Sequence, residues 1–189
     1  MEIEAKFLEI DVPQIQKKLK SLGAKKKYDT VFREAIFQGE GIRQKEWEKT
    51  FKRIRVRDQG DKVYLTLKEL PEKKFKLDNT REVELEISDF DKMIEILLAS
   101  DLMKIRDQEK RRIHYELDGV AVDIDYWPDI PAFLEIEADS QEKVKAIAKK
   151  LGLNFRKAVF VDARQVFKRY YNFDVMKLKE FKFDGKDSV

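Results

Sequence analysis

Acidic residues two positions apart recur in three short stretches of this sequence. The stretches read MEIEAKF at the start of the chain, EVELEIS at 82–88 and FLEIEAD at 133–139. Aliphatic residues separate the glutamates, and this alternation is typical of a half-buried β-strand. Carboxylates that share a strand face supply the oxygen ligands that Mg²⁺ and Mn²⁺ prefer. The spacing therefore predicts strands that can hold a hard divalent cation.

Basic residues follow the same alternation on other predicted strands. Arg55 and Arg57 share one face of FKRIRVR, and Lys110 and Arg112 share one face of a later strand. Arginine and lysine bind phosphate oxygens, and arginine often does so through two hydrogen bonds. Walls of both signs suit a polyanion that carries its metal, such as a nucleoside triphosphate, thiamine triphosphate or inorganic polyphosphate. The sequence has no glycine-rich phosphate loop, which excludes a P-loop NTPase.

The overall charge limits the class of partner. The 189 residues include 40 basic and 37 acidic side chains, a net charge of only +3, so the chain is not a simple polycation and a nucleic-acid partner is disfavoured. The absence of cysteine excludes disulfides and thiolate metal sites. The sequence begins without the features of a signal peptide and contains no apolar run of about 20 residues. We therefore expect a cytoplasmic protein that does not enter a membrane, as a monomer or homodimer.

The elements that must position these residues are about eight strands and four helices. The predicted strands are 2–8, 27–38, 51–57, 62–70, 81–88, 104–117, 120–126 and 133–139. The predicted helices are 12–22, 89–99, 140–151 and 160–172, with loops at 39–50, 71–79 and WPDIP, 127–131. Hairpins between most strands predict an α+β fold with an antiparallel sheet. A domain is expected over 1–172, followed by a charged tail over 173–189 whose alternation allows a further strand or a loose end.

The charged strand faces allow two arrangements. In one, helices cover the apolar faces and the charged faces lie in water. In the other, the eight antiparallel strands close into a barrel, and carboxylates and basic groups line its interior. Because charge is sorted by strand, and Glu82, Glu84 and Glu86 would repel one another without compensation, we favour the closed barrel. The faces of the strand at 27–38 cannot be assigned.

Three motifs in order resemble the CYTH superfamily, also called triphosphate tunnel metalloenzymes, over about residues 1–172. They are E-x-E-x-K (Glu2, Glu4, Lys6), R-x-R followed by a glycine turn and LTLK (Arg55, Arg57, Gly60, Lys68), and a final D…FLEIE (Asp125, Glu135, Glu137). The resemblance implies an eight-stranded antiparallel β-barrel that forms a tunnel flanked by helices. Members include class IV adenylyl cyclases, thiamine triphosphatases and inorganic triphosphatases.

The resemblance also implies roles for individual residues. Phosphate binding falls to Lys6, Arg55, Arg57, Lys68 and Arg112, with Lys110 as a further candidate on the same face. Lys6, Arg55, Arg57 and Lys68 are also the catalytic candidates. One or two ions of Mg²⁺ or Mn²⁺ would be held by Glu2, Glu4, Glu84, Asp125, Glu135 and Glu137. His114, the only histidine, and Trp127 are interpreted as structural.

The expected function is that of a metal-dependent phosphohydrolase acting on a triphosphate. A class IV adenylyl cyclase is the alternative, because the same tunnel can run either reaction. The chain lacks the His-Phe element that we associate with cyclase members, and the insertion at 39–49 departs from the usual pattern. A binding module for polyphosphate or nucleotide without turnover is a third possibility.

Overall fold

The computed structural model describes residues 3–39, 44–45, 47, 52–69 and 81–184. The strands in these residues are β1 (Ile3–Phe7), β2 (Lys25–Gly39), β3 (Arg53–Asp58), β4 (Val63–Glu69), β5 (Arg81–Ile87), β6 (Leu102–Leu117), β7 (Val120–Trp127), β8 (Ile130–Ala138) and β9 (Glu180–Phe181). The α-helices are α1 (Val12–Ser21), α2 (Phe90–Ala99), α3 (Gln141–Leu151) and α4 (Ala163–Tyr170). Short 3₁₀ turns cover Phe155–Lys157 and Val175–Lys177.

The predicted α+β class, with an antiparallel sheet and helices, is confirmed. The strands are hydrogen-bonded in the order β1-β8-β7-β6-β2-β3-β4-β5, and β9 pairs with β6 in parallel. Within the described part of the chain this order begins at β1 and ends at β5, with no ladder joining those two strands. The tunnel itself therefore stays a prediction.

Local sequence signals set most element boundaries. Asp11 caps α1 and Ser140 caps α3, and Gly152 ends α3 in the left-handed conformation. The predicted loop over 127–131 is too long. Trp127 ends β7 and Ile130 begins β8, because Asp129 takes a positive φ of 56° and lets the chain turn tightly.

Two further boundaries differ from expectation. Helix α4 begins only at Ala163, where Asp162 accepts a hydrogen bond from the backbone N–H of Gln165, so the predicted helix at 160–172 is too long. In the tail, Phe181 is buried and pairs in register with Gln108, so the strand alternative is realised there. The predicted loop at 71–79 lies outside the described residues.

Contacts divide the chain into two compact units. The first contains residues 1–30 and 110–175, and the second contains residues 31–109 and 176–189. In the first unit α1 and α3 cover the apolar faces of β1, β7, β8 and the end of β6. Its core includes Leu19, Val122, Leu134, Ile136 and Val144, none of which exposes measurable side-chain area. The helices thus bury the apolar face of these strands, and the charged side chains lie on the opposite face.

The second unit has its own smaller core. Helix α2 packs on β3, and Ala35, Phe37, Val56 and Leu97 form the buried cluster. Strand β5 is the most exposed strand of this unit, and the glutamates on it alternate with Val83 and Leu85, which also expose nearly half of their area. Among the described residues, no helix combines the length and apolarity that crossing a membrane requires.

Candidate functional site

The charged face of the first unit is buried. Lys6, Lys110, Asp123, Asp125 and Glu135 each expose 8% or less of their surface, so the arrangement with this face in water does not apply to these strands. Charged groups are almost never buried to this degree unless they are paired. Their pairing, which sequence alone cannot give, therefore defines the site.

Arg112 on β6 is the centre of this first cluster. Its Nε and Nη2 donate to the two carboxylate oxygens of Asp125 at 2.6 Å each, a bidentate geometry. Nη2 also donates to Glu135 at 2.5 Å, and Nη1 lies 2.6 Å from Asp123. Burial opposes the charged form, but Asp125 and Glu135 outweigh it and raise the pKa of Arg112 well above its ordinary value. A guanidinium thus stands among three carboxylates from β7 and β8.

Lys6 on β1 extends the cluster. Its ammonium donates to Glu4 and lies 3.4 Å from Glu135, the residue directly opposite it on β8. Burial disfavours the charge on Lys6, yet Glu135 and Glu4 together raise its pKa. For Glu4 the balance is similar, because burial raises its pKa but the ammonium of Lys6 brings the net value below normal. Both groups are therefore charged at neutral pH.

Lys110 completes the basic side of this unit. Its Nζ lies 3.2 Å from Asp125, and its ammonium stands 5.5 Å from the centre of the Trp127 ring. The ammonium of Lys110 is thus held between a carboxylate and an aromatic ring. The edge of Trp127 also meets Phe167 of α4, with ring centres 5.2 Å apart, which agrees with the packing role predicted for this tryptophan.

The second unit contains a separate cluster around Glu84. Arg57 Nη2 donates to Glu84 at 3.1 Å, Arg55 Nη2 lies 3.8 Å away, and the buried Thr66 hydroxyl donates to the same oxygen at 2.7 Å. Burial alone would raise the pKa of Glu84, but the Thr66 hydrogen bond and the two arginines hold it below normal. The R-x-R motif is thus aligned by a carboxylate from β5.

A buried chain of polar groups supports Arg55 from the other side. Arg106 Nε donates to Gln108 Oε1 at 2.7 Å, and Gln108 Nε2 donates to Glu34 Oε2 at 2.5 Å. Glu34 is 2% exposed, and its other oxygen lies 3.4 Å from Arg55 Nη1. Arg55 Nε is itself buried without a hydrogen-bond partner among the described residues. Sequence analysis missed Glu34, Arg106 and Gln108.

Lys68 pairs with a different carboxylate from the one that Arg55 and Arg57 contact. It pairs with Glu82, opposite it in the β4–β5 register, at 2.8 Å. Burial and the like charge of Arg55 lower the pKa of Lys68, while Glu82 opposes that shift. A further anion that approaches Lys68 would stabilise its charged form.

The site residues predicted from the sequence therefore form two groups, one in each unit, and one further residue is not described by the structure. The first unit brings together Glu4, Lys6, Lys110, Arg112, Asp125 and Glu135, and Glu137 is opposite Glu4 in the β1–β8 register. The second unit brings together Arg55, Arg57 and Glu84, with Lys68 on the adjoining strand. Glu2 lies outside the described residues. Asp123, which was not among the predicted ligands, shares the face of Asp125 and could have been found by the same alternation.

The donor chemistry of the first cluster fits a hard divalent cation. The carboxylates of Glu4, Asp125 and Glu135 offer only oxygen, as Mg²⁺ and Mn²⁺ require. Among the described residues, however, no three acidic or histidine side chains converge on one ion position. Arg112 and Lys6 occupy the space between these carboxylates instead. A metal would have to exchange with these cations for the same oxygens.

A comparison with protein families identifies the relationship. The model of the CYTH domain matches residues 1–171. The chain belongs to the CYTH family. The resemblance stated from the three sequence motifs is thereby confirmed. No curated protein matches the chain at a significant level.

Solved structures of similar fold support the assignment of this CYTH domain. A conserved hypothetical protein from Pyrococcus furiosus is 25% identical, with a TM-score of 0.66 over 86% of this chain and 98% of its own. A Vibrio parahaemolyticus protein described as an adenylate cyclase candidate is 14% identical, with a TM-score of 0.70 over 88% of this chain and 97% of its own. The protein HpAC1 from Hippeastrum, described as an adenylyl cyclase candidate with a dominant triphosphatase activity, is 16% identical, with a TM-score of 0.58 over 94% of this chain and 99% of its own. At 14% and 16% identity the last two show a shared fold.

Proposed function

We propose that this CYTH protein is a metal-dependent phosphohydrolase that acts on a triphosphate. The observation that carries the proposal is the buried cluster of the first unit, where basic and acidic groups alternate around Arg112. Burying this many charges is costly for a fold and is expected where their charge is used. The triphosphatase activity described for the Hippeastrum protein of this fold supports the same conclusion. We propose residues 1–172 as the domain that carries this function, followed by the charged tail over 173–189.

The basic residues would bind the phosphates. Phosphoryl transfer depends mainly on neutralising and aligning the phosphate oxygens. Lys6, Lys110 and Arg112 in the first unit, and Arg55, Arg57 and Lys68 in the second, provide the fixed positive groups. Those that stabilise the leaving group act most strongly in water-poor surroundings, because the low dielectric increases their effect. Thr66 and Glu34 would keep the arginines of the second unit aligned while substrate binds.

The acidic residues would hold the cation. Glu2, Glu4, Asp125, Glu135 and Glu137 are the proposed ligands, with Glu84 assigned to the arginine cluster of the second unit as well. When bound, Mg²⁺ or Mn²⁺ neutralises phosphate charge and lowers the pKa of water. Arg112 would release Asp125 and Glu135 as substrate arrives, and the donors freed in this way would bind phosphate oxygens. The carboxylates and the basic groups thus exchange partners on binding.

A class IV adenylyl cyclase is the second candidate. It is favoured by the structure from Vibrio parahaemolyticus, which is described as an adenylate cyclase candidate and has a TM-score of 0.70. In that reaction the ribose 3′-hydroxyl attacks the α-phosphorus and pyrophosphate leaves. The same basic residues would bind the triphosphate, so the reaction depends on whether an adenosine fits and on how the triphosphate is threaded.

A product assay tests the proposal directly. The purified chain is supplied in turn with tripolyphosphate, thiamine triphosphate and ATP, each with Mg²⁺ or Mn²⁺, and both phosphate and cyclic AMP are measured. Phosphate release that depends on the metal is expected. Cyclic AMP from ATP with little phosphate from tripolyphosphate would establish the cyclase instead. Tight binding of all three compounds without any product would establish a binding module.

The ligand assignment has its own test. Changing Glu135 and Glu137 together to glutamine should abolish activation by the metal, because neutral amides replace the anionic oxygen ligands. The change also removes the ion pairs of Glu135 with Lys6 and Arg112, so a loss of stability is expected, and circular dichroism checks that the variant is folded at the assay temperature. The matched control is Glu142→Gln on the exposed side of α3, which should change neither property. Full metal-dependent activity in the double variant would show that these glutamates are not ligands.

A further inference from the structure

His114 makes a contact that the proposed mechanism does not use. Its Nδ1 lies 2.5 Å from Asp123 Oδ1, and its ring stacks on Tyr28 with centres 5.0 Å apart and planes inclined by 17°. Asp123 contacts Arg112 through its other oxygen, and carboxylate oxygens accept hydrogen bonds, so we assign His114 Nδ1 as the donor of this contact. The stack on Tyr28 holds the ring in the plane that this hydrogen bond requires.

Asp123 consequently connects His114 to the centre of the cluster. One of its oxygens accepts from His114 and the other faces Arg112 Nη1 at 2.6 Å, while the residue is 4% exposed. A carboxylate held at both oxygens cannot rotate about its terminal bond without breaking one contact. The direction of the Arg112 guanidinium is thus tied to His114 across two strands, β6 and β7.

Asp123 differs from the other carboxylates around Arg112. Asp125 and Glu135 are proposed metal ligands and would leave Arg112 when metal and substrate bind. Asp123 has one oxygen on Arg112 and the other on His114, which belongs neither to the proposed metal ligands nor to the phosphate-binding residues, so Asp123 is the carboxylate that can stay. We propose that His114 is a positioning residue which, through Asp123, keeps Arg112 directed at the phosphates throughout turnover. This inference rests on the proposed function and adds His114 and Asp123 to it.

Two substitutions separate positioning from packing. His114→Asn retains an N–H near the position of Nδ1 and loses the stacked ring. His114→Phe retains the ring on Tyr28 and loses the donor. If His114 positions Arg112, the phenylalanine variant should lose activity and the asparagine variant should retain most of it. If His114 serves only in packing, the asparagine variant should be the less active of the two.

Hydrolysis of tripolyphosphate with Mg²⁺ gives the first readout. Removing an outer-sphere hydrogen-bond partner typically changes affinity or activity about 10- to 100-fold, and we expect a loss of kcat/KM of that size for His114→Phe, mainly through KM. His114→Asn should recover most of it. A phenylalanine variant with wild-type kcat/KM, or two variants equally impaired, would overturn the proposal.

A second readout does not depend on activity. The ¹⁵N–¹H resonance of Arg112 Nε in the unliganded protein should shift in His114→Phe and return towards its wild-type position in His114→Asn. An unchanged resonance in His114→Phe would refute the positioning role. If the wild-type chain releases no phosphate but the resonance behaves as expected, the proposed function fails while the link from His114 to Arg112 stands.

Discussion

Replacing Arg112 by methionine should destabilise the fold substantially. The substitution keeps the length of the side chain and removes a cation that contacts three carboxylates at 2.5–2.6 Å. Removing one partner of a buried ion pair typically lowers the free energy of unfolding by about 3–5 kcal/mol. Lys6, Lys110 and His114 still contact these carboxylates, so we expect one such loss rather than three. For a chain of this size the melting temperature should fall by about 6 to 20 °C.

The neighbouring residue provides the control for this measurement. Arg111 lies on the opposite face of β6 and pairs with Asp29 at 2.8 Å near the surface. Exposed pairs contribute about 0–1 kcal/mol, so Arg111→Met should have a small effect. Both variants are measured by urea unfolding followed by circular dichroism. Equal losses in the two variants, or a loss below about 1 kcal/mol in Arg112→Met, would refute the central role given to Arg112.

The dependence on pH and on cations gives this prediction a second test. Without Arg112 the carboxylates of Asp123, Asp125 and Glu135 repel one another when ionised, and protonation removes that repulsion. The loss in Arg112→Met should therefore be larger at pH 8 than at pH 4, the direction expected when acid relieves a folded-state repulsion. Mg²⁺ should recover part of the loss, because a ligand that binds only the folded state stabilises it. A loss that is independent of both pH and Mg²⁺ would contradict this explanation.

Three further outcomes follow from contacts described above. Thr66→Val should raise the pKa of Glu84, since the hydroxyl hydrogen bond helps to hold that pKa low; a carbon-13 titration that finds it unchanged would contradict this. Glu4 has a pKa below its ordinary 4.5, so its contribution to stability is present above pH 4.5 and is lost as the pH falls through the folded value. Glu4→Gln should therefore make the melting temperature less sensitive to acid, and an unchanged acid profile would count against the Lys6 pairing. Gly152→Ala should lower the free energy of unfolding by about 1 kcal/mol, because φ is +79° and alanine is strained in that conformation. No atom lies near the added methyl group, so no clash adds to this loss. An equally stable variant would contradict the prediction.

Alternation along single strands was sufficient to predict which residues share a face. Asp125, Glu135 and Lys6, which is opposite Glu135, were recognised because apolar and charged residues strictly alternate around them. Asp123 obeys the same rule and was passed over only because the family motif does not include it. The apolar partners of these residues fill the core of the first unit, which is why the period is so regular.

Glu34 could not be placed for a physical reason. Around it β2 has apolar residues on both faces, with Phe32 and Ile36 on one side and Ala35 and Phe37 on the other, all buried. A strand that is buried on both faces loses its period of two. The pairing of individual charges was also beyond the sequence, because it depends on register. That Arg112 stands between residues of β7 and β8 follows from ladders that a single strand does not specify.

The buried charged face constrains how the sequence of this protein can evolve. An apolar core tolerates many substitutions one at a time, provided that volume is kept. A buried layer of ion pairs does not, because neighbouring charges are energetically coupled and the effect of one change depends on the others. Replacing Asp125 alone would remove the bidentate partner of Arg112 and a carboxylate that pairs with Lys110, at a buried place where water cannot easily take over those contacts. Sequence divergence at this layer should therefore proceed through matched pairs, and the layer should vary more slowly than the helices that cover its other side.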